Sequence, residues 1–327
     1  MAAEPPIRAV LIAGPTASGK SALALALAER CGGVVANADA SQVYADLRVL
    51  SARPSEADEA RAPHALYGHV DAAEAYAVGR YLDDVHRVIN RLSAGFEPGS
   101  QQAVEPGRVP IFVGGTGLYL EALTAGLAAV PAIPDEVRVR WRSFGPAAEL
   151  HAELARRDPE MAARLRPTDP QRLIRALEVL EATGRSLARW QEEATRGPLD
   201  PAETLRIALA PDRAILRERI AARLDGMARD GAVEEAAKLD ARSLDPALPA
   251  MKALGVRPLA AHARGEISLD EALERTRLDT GRYAKRQSTW FRNRMPGWLQ
   301  AAPDEALELA IREIGRRGTA PPPLSRT

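Results

Sequence analysis

Apolar residues fall into short unbroken runs early in the chain and into long helical stripes later. Residues 9–13 (AVLIA) are continuously apolar and closed by Gly14 and Pro15, which predicts a buried strand entering a turn. Residues 21–30 (SALALALAER) have helix composition and stop at Cys31-Gly32-Gly33, and Val34-Val35 opens a second short strand. Residues 76–92 carry Val78, Leu82, Val85 and Ile89 at three- and four-residue spacings, the stripe of a helix with one buried face. Residues 109–113 (VPIFV) predict a third buried strand running into Gly114-Gly115-Thr116-Gly117, and residues 205–209 (LRIAL) another. Strands alternating with helices predict an α/β fold, a parallel sheet flanked by helices.

The texture changes at residues 130–134 (VPAIP). From there to about residue 197 the chain is helix-like, with acidic and basic residues interspersed and no β-branched runs. The predicted organisation is an α/β core over 1–130 and 204–316 with an inserted all-helical subdomain over 131–203. Residues 215–239 and 268–294 predict long amphipathic helices. Residues 93–107 predict an exposed loop, and the Pro321-Pro322-Pro323 tail predicts disorder over 317–327.

Composition narrows the class. With 327 residues and 46% hydrophobic content the chain can bury a substantial core. No run reaches the roughly 18 apolar residues of a membrane helix, and the first eight residues lack the basic-then-apolar order of a signal peptide. The single Cys31 excludes an intrachain disulfide framework. A cytoplasmic monomer is expected. The 44 basic and 44 acidic residues cancel, so any polyanion binding must come from local distribution. Basic residues are arginine except at Lys20, Lys238, Lys252 and Lys285.

Residues 14–21, Gly14-Pro15-Thr16-Ala17-Ser18-Gly19-Lys20-Ser21, match the P-loop pattern of nucleotide-binding proteins between a predicted strand and a predicted helix. Glycines allow backbone N–H groups to curl around phosphate oxygens, and the helix N-terminus favours negative charge. Lys20 adds charge, and the Ser21 hydroxyl is suited to Mg²⁺. The P-loop alone fits a hydrolase or a small-metabolite kinase, but those use a second metal-binding acid at a neighbouring strand tip. The strand over 109–113 ends in Gly114-Gly115-Thr116 instead, and Asp212 after Pro211 reads as a helix N-cap.

Asp39 follows the Val34-Val35 strand, where strand ends face the crevice of an open α/β sheet, so its carboxylate could take a proton from a nucleophile. Its plain alternative is a turn aspartate. Thr116 could face the same crevice or close a helix N-terminus. Near the C-terminus Arg282, Lys285, Arg286, Arg292 and Arg294 occur with Tyr283, Trp290 and Phe291 and no acidic residue. Lys285, Thr289 and Arg292 share one helix face. This pattern favours contact with a phosphate backbone over a merely solvated face.

Together these segments resemble the tRNA dimethylallyltransferases, also called tRNA isopentenyltransferases. The resemblance runs through GPTASGKS (14–21), DASQVY (39–44), APHAL (62–66), VGGTGLYL (113–120), DPQRLIRALEV (169–179), RIAARLDGM (219–227) and YAKRQSTWFR (283–292), nearly the whole chain in order. It implies a P-loop core that moves a dimethylallyl group from dimethylallyl diphosphate to N6 of the adenosine 3′ of the tRNA anticodon, releasing diphosphate. The P-loop would then hold a prenyl diphosphate, with Mg²⁺ as cofactor. By the same resemblance Asp39 is the general base, Thr116 lies beside the target base and the reacting carbon, and Arg223 helps neutralise diphosphate. Contacts to the tRNA anticodon stem-loop are implied for Asp39, Ala40, Ser41, Gln42, Thr116, Arg138, Gln171, Arg172, Leu173, Ile174 and Arg175, joined by Lys285 and Arg286 on the basic helix. The base would be flipped out of its stack to react.

The chain departs from the family pattern at Ala40, where serine is usual and one hydrogen bond is expected to be lost. It also departs at Ala65, in place of a second histidine, and at Gly281, in place of a larger polar residue. The alternatives are a P-loop small-metabolite kinase and a non-catalytic RNA-binding protein.

Overall fold

The computed structural model describes residues 4–94, 107–193 and 196–323. Six strands form one parallel sheet: β1 (Ala9–Ala13), β2 (Val34–Asn37), β3 (His64–Ala65), β4 (Pro110–Gly114), β5 (Thr204–Leu209) and β6 (Leu299–Ala301). Their order is β3-β2-β4-β1-β5-β6, with Val10 of β1 opposite Ile111 on one side and Leu205 on the other. The continuous apolar runs are explained by this arrangement, because a parallel sheet is covered on both faces. Leu11 and Phe112 pack with Tyr81, Ile89 and Leu120 on one side of the sheet. Val10, Ile12 and Ile111 pack with Leu23, Leu27 and Ala310 on the other.

The predicted helices over 21–30 and 76–92 are observed at Lys20–Cys31 and Val78–Ala94. The continuous helix expected over 215–239 is instead two, Arg213–Arg229 and Ala232–Ala241. They break at Gly231, whose φ of 96° lies in the left-handed region that a helix cannot carry. Asp212 does N-cap the first of them, accepting the Ala214 N–H at 2.7 Å. Leu269–Arg294 is a single 26-residue helix capped by Ser268. Strand β6 had no strong signal, because it is three residues long and two of them are exposed; the helix Ala306–Arg317 was missed although Ala306, Leu307, Ala310, Ile311 and Ile314 form a helical stripe.

Two compact units emerge, one comprising Met1–Thr124 with Pro198–Thr327 and the other Ala125–Gly197. The helical unit thus begins and ends six residues earlier than the expected 131–203. At its far end Leu199 already belongs to the α/β core, where its N–H bonds to the Leu123 carbonyl at 2.9 Å and its side chain is buried. The helical unit has its own core, built from Trp141, Leu150, Leu154, Leu173 and Leu177. Residues 317–323 of the tail expected to be disordered are held: Ile7 and Thr319 bridge in parallel, and the Ala320 N–H bonds to the Ile7 carbonyl. Residues 324–327, and most of the loop expected over 93–107, lie outside the described residues. No helix among the described residues is long and apolar enough to cross a membrane.

The glycine that ends β4 is dictated by close approach. A Cβ on Gly114 would lie 2.0 Å from the Ala38 carbonyl oxygen, a backbone atom with nowhere to go. Gly114→Ala is therefore expected to remove about 2–3 kcal/mol of stability, measured by chemical denaturation.

Candidate functional site

The P-loop leaves the C-terminal end of β1 and turns into the Lys20–Cys31 helix through Ala17 (φ 62°) and Gly19 (φ 92°). Both φ values are left-handed, the backbone conformation from which anion-binding nests are built. Gly14, Pro15 and Ser18 are buried, Thr16 and Ala17 are half-buried, and Ser21 is exposed at the helix start. The Ser18 hydroxyl is buried with no hydrogen-bond partner among the described residues. Among the described residues Lys20 reaches only the Pro15 carbonyl, at 3.4 Å. Burial pulls its pKa down to about 8, against the opposing attraction of Asp39, and nearby Arg223 lowers it further. Such a loop presents donors and an under-compensated cation, the chemistry of a phosphate site.

Asp39 sits just past the end of β2, and its backbone is fixed by the fully buried Asn37. The Asn37 side chain accepts the Asp39 N–H at 2.8 Å and donates to the carbonyls of Asp39 and Leu66 at 2.9 and 3.1 Å. The carboxylate accepts the N–H and hydroxyl of Ser41 at 3.0 and 2.7 Å through one oxygen, Oδ1. Thr116, in the turn after β4, accepts the Ala40 N–H at 2.9 Å. The backbone at Ala40 is thus held by Thr116. Arg223 projects from the Arg213–Arg229 helix and donates to the Thr16 hydroxyl at 3.4 Å. Its burial lowers its pKa, and the Asp39 carboxylate opposes that shift.

Two cavities meet here. One of about 470 Å³ is lined by residues 17–21 of the P-loop with Arg53, Tyr67, Arg219 and Arg223. The other, about 320 Å³, is lined by Thr16, Asp39, Ala40, Ser41, Met227, Tyr283 and Arg286, and again by Arg223. The first is cationic. The second has an apolar flank of Leu50, Ile220, Leu224 and Met227 beside the Asp39 carboxylate. Arg223 and the P-loop stand between them, so a group reacting at that wall has a proton-accepting side and a charge-neutralising side.

The structure therefore brings together residues 14–21, Asp39, Ala40, Ser41, Thr116, Arg223 and Arg286. Gln42 behaves differently from the expectation of an RNA contact. Its side-chain amide donates to the carbonyls of Ser51 and Ala52 at 2.9 and 2.8 Å, holding the loop that borders both cavities. Glu235 anchors the same loop, accepting the N–H groups of Arg48, Val49 and Leu50, each at 2.8 Å. Lys285 is exposed on the long helix and lines neither cavity. Gly281 on that helix borders open space, where an added Cβ would meet nothing within 4 Å.

In the helical unit, Gln171, Arg172 and Arg175 are exposed on the helix Pro170–Thr183. Arg172 pairs with Asp169 at 3.4 Å and Arg175 with Glu178 at 3.9 Å. Burial lowers the Arg175 pKa, Glu178 opposes the shift, and Arg138 adds to it, so Arg138 and Arg175 share a patch. Leu173 corrects the expectation of an RNA contact: it is fully buried in the unit's core. The helical period that exposes residues 172 and 175 turns 173 inward. Ile174 is half-buried against the same core.

Sequence reasoning missed Gln287 and Glu235, whose roles lie in bonds to distant backbone, and Asn37, which ties Asp39 two residues on to the Leu66 carbonyl. A signal for Gln287 did exist. Thr276, Thr280 and Gln287 are polar residues on the inward stripe of the long helix, where an apolar residue would be the default.

A family model described as IPP transferase matches residues 42–294, and one described as isopentenyl transferase matches residues 7–64. The chain belongs to the tRNA dimethylallyltransferase family. A tRNA dimethylallyltransferase of Methylocella silvestris is 54% identical over 93% of this chain and 97% of its own length. One from Bradyrhizobium sp. strain BTAi1 is 55% identical over 91% and 95%. Among solved structures, a tRNA isopentenylpyrophosphate transferase from Bacillus halodurans is 29% identical with a TM-score of 0.65, covering 95% of this chain and 96% of its own. A eukaryotic dimethylallyltransferase acting on tRNA, 24% identical with a TM-score of 0.77, shares the fold over 94% of this chain and 78% of its own. Membership of this transferase family makes the chain an enzyme and assigns the P-loop to a family other than the metabolite kinases.

Proposed function

We propose that this chain transfers the dimethylallyl group of dimethylallyl diphosphate to N6 of the adenosine 3′ of the anticodon in tRNA, releasing diphosphate. The observation that carries the reading is the junction of the two cavities, where Asp39 on one side faces Lys20 and Arg223 on the other. The diphosphate lies in the cationic cavity, with its prenyl carbon directed at the Arg223 wall. The adenine enters the second cavity and presents N6 beside Asp39. A bond forms from N6 to C1 of the prenyl group as the C1–O bond breaks. The N6 proton passes to the Asp39 carboxylate, and the electron pair leaves on diphosphate, where Lys20, Arg223 and the P-loop N–H groups stabilise it.

No group of three or more metal-ligating side chains occurs among the described residues. The exposed Ser21 hydroxyl at the P-loop helix start fits a Mg²⁺ ion held otherwise by phosphate oxygens and water, the usual habit of that ion. When bound it would supply charge neutralisation to the leaving diphosphate.

Gln171, Arg172, Arg175 and Arg138 on the helical unit, with Lys285 and Arg286 on the long helix, supply polar and cationic groups for the tRNA. Arg172→Ala or Lys285→Ala is expected to weaken tRNA binding and to lower the slope of log K against log salt by about 0.7–0.9. An unchanged slope in filter-binding titrations would return that residue to an ordinary solvated surface. The activity itself is tested by diphosphate release: it should require both dimethylallyl diphosphate and unmodified tRNA. Release with free adenine nucleotides in place of tRNA would contradict the reading.

A further inference from the structure

Gln287 connects the two halves of the site. It is 5% exposed, a buried amide on a helix whose neighbouring inward residues include Ala284 and Phe291. Its Oε1 accepts the N–H of Thr16 in the P-loop at 2.9 Å. Its Nε2 donates to the carbonyl of Gly115, in the turn that carries Thr116, at 2.8 Å. A Cβ on Gly115 would lie 2.2 Å from Gln287 Nε2 and 3.1 Å from Asp39 Oδ2, so glycine is required for the amide to pass between that turn and the carboxylate. One helical turn earlier, the Tyr283 phenol interacts with the side chains of both Thr116 and Gln287. Thr116 in turn holds the Ala40 N–H next to Asp39. A chain of bonds thus runs from the loop suited to the diphosphate, through one side chain, to the turn that sets the base.

We infer that Gln287 is a positioning residue that fixes the distance between the diphosphate-holding loop and the Asp39–Thr116 pair. The inference rests on the reaction proposed above for its catalytic meaning. The physical case is that an amide is the side chain with an acceptor and a donor at one end, and both are engaged by backbone groups on different strands' loops. Neither bond can be replaced by water at a buried position without a rearrangement. A displacement transfer needs donor carbon, nucleophile and base aligned to a fraction of an ångström, and a misplacement of about 1 Å can cost about 10²-fold in rate.

The test compares Gln287→Met, which keeps length and removes both bonds, with Gln287→Glu, which keeps the acceptor for Thr16 and loses the donor to Gly115. Single-turnover transfer is measured at saturating dimethylallyl diphosphate and tRNA, together with tRNA affinity, melting temperature and amide exchange at Thr16 and residues 113–117. For Gln287→Met the expected result is a rate lower by about 10²-fold with tRNA affinity within about twofold of the parent. Exchange should rise at both loops together. For Gln287→Glu exchange should rise at the Gly115 turn while Thr16 keeps its protection. A folded variant of either kind with a parental rate would overturn the inference, as would a loss confined to tRNA affinity. If the parent chain itself transfers no dimethylallyl group, the proposed reaction fails. The exchange data then still decide the link: faster exchange at both loops in Gln287→Met supports it, and unchanged exchange refutes it.

Discussion

Replacing Asp39 with asparagine lowers single-turnover transfer by about 10²–10⁴-fold, the range for loss of a placed general base. The exocyclic amine of adenine is a weak nucleophile, and its proton must go somewhere as the new bond forms. Asparagine keeps the shape of the aspartate and can still accept the Ser41 N–H and hydroxyl through its Oδ1, as the carboxylate does at 3.0 and 2.7 Å. It can also leave the Asn37 and Thr116 contacts to the neighbouring backbone undisturbed. The fold, melting temperature and tRNA affinity should therefore stay close to those of the parent. A rate within about tenfold of the parent at saturating substrates would remove Asp39 from the role of base.

Lys20→Ala should cut kcat/KM for dimethylallyl diphosphate by about 10²–10³-fold, the usual scale for removing one charged donor from a developing anion. The pH dependence adds a second signature. Burial brings the Lys20 pKa from an ordinary 10.5 to about 8, with Asp39 resisting and Arg223 assisting. In the free enzyme Lys20 therefore loses its charge above about pH 8, and capture of a diphosphate should weaken there. Bound diphosphate favours the ammonium, so kcat should hold to higher pH than kcat/KM. Stability moves the other way. Between about pH 8 and 10.5 the unfolded chain holds more protons at this position than the folded one, so folding stability gains with rising pH. The burial penalty is complete below about pH 8. Lys20→Ala should accordingly abolish the kcat/KM fall near pH 8 without lowering the melting temperature at about pH 7.

Much of the scaffold was legible in the sequence because its signals are local. A continuous apolar run has one explanation in a two-sided parallel sheet, and the P-loop pattern dictates its own turn, helix start and charge. The break at Gly231 was less legible: its flanks are helix-forming on both sides, and only the backbone reveals that it adopts φ 96°. Leu173 was misread for a related reason. A contiguous five-residue motif wraps round a helix, so Leu173 faces the core while Gln171, Arg172 and Arg175 face solvent. Glu235 and Gln287 escaped because each acts on backbone groups remote in sequence; Gln287 and Thr16 are 271 positions apart. Local patterns identify the groups that carry charge or protons, whereas the side chains that hold those groups apart are defined by tertiary packing.

The most direct measurement is nucleoside analysis of unmodified tRNA after incubation with the full chain, Mg²⁺ and dimethylallyl diphosphate labelled in the prenyl group. The account predicts label in N6-dimethylallyladenosine at the position 3′ of the anticodon, formed about 10²–10⁴-fold more slowly when Asp39→Asn replaces the parent. Bound tRNA that stays unlabelled, or label recovered on a nucleoside elsewhere in the molecule, would contradict it.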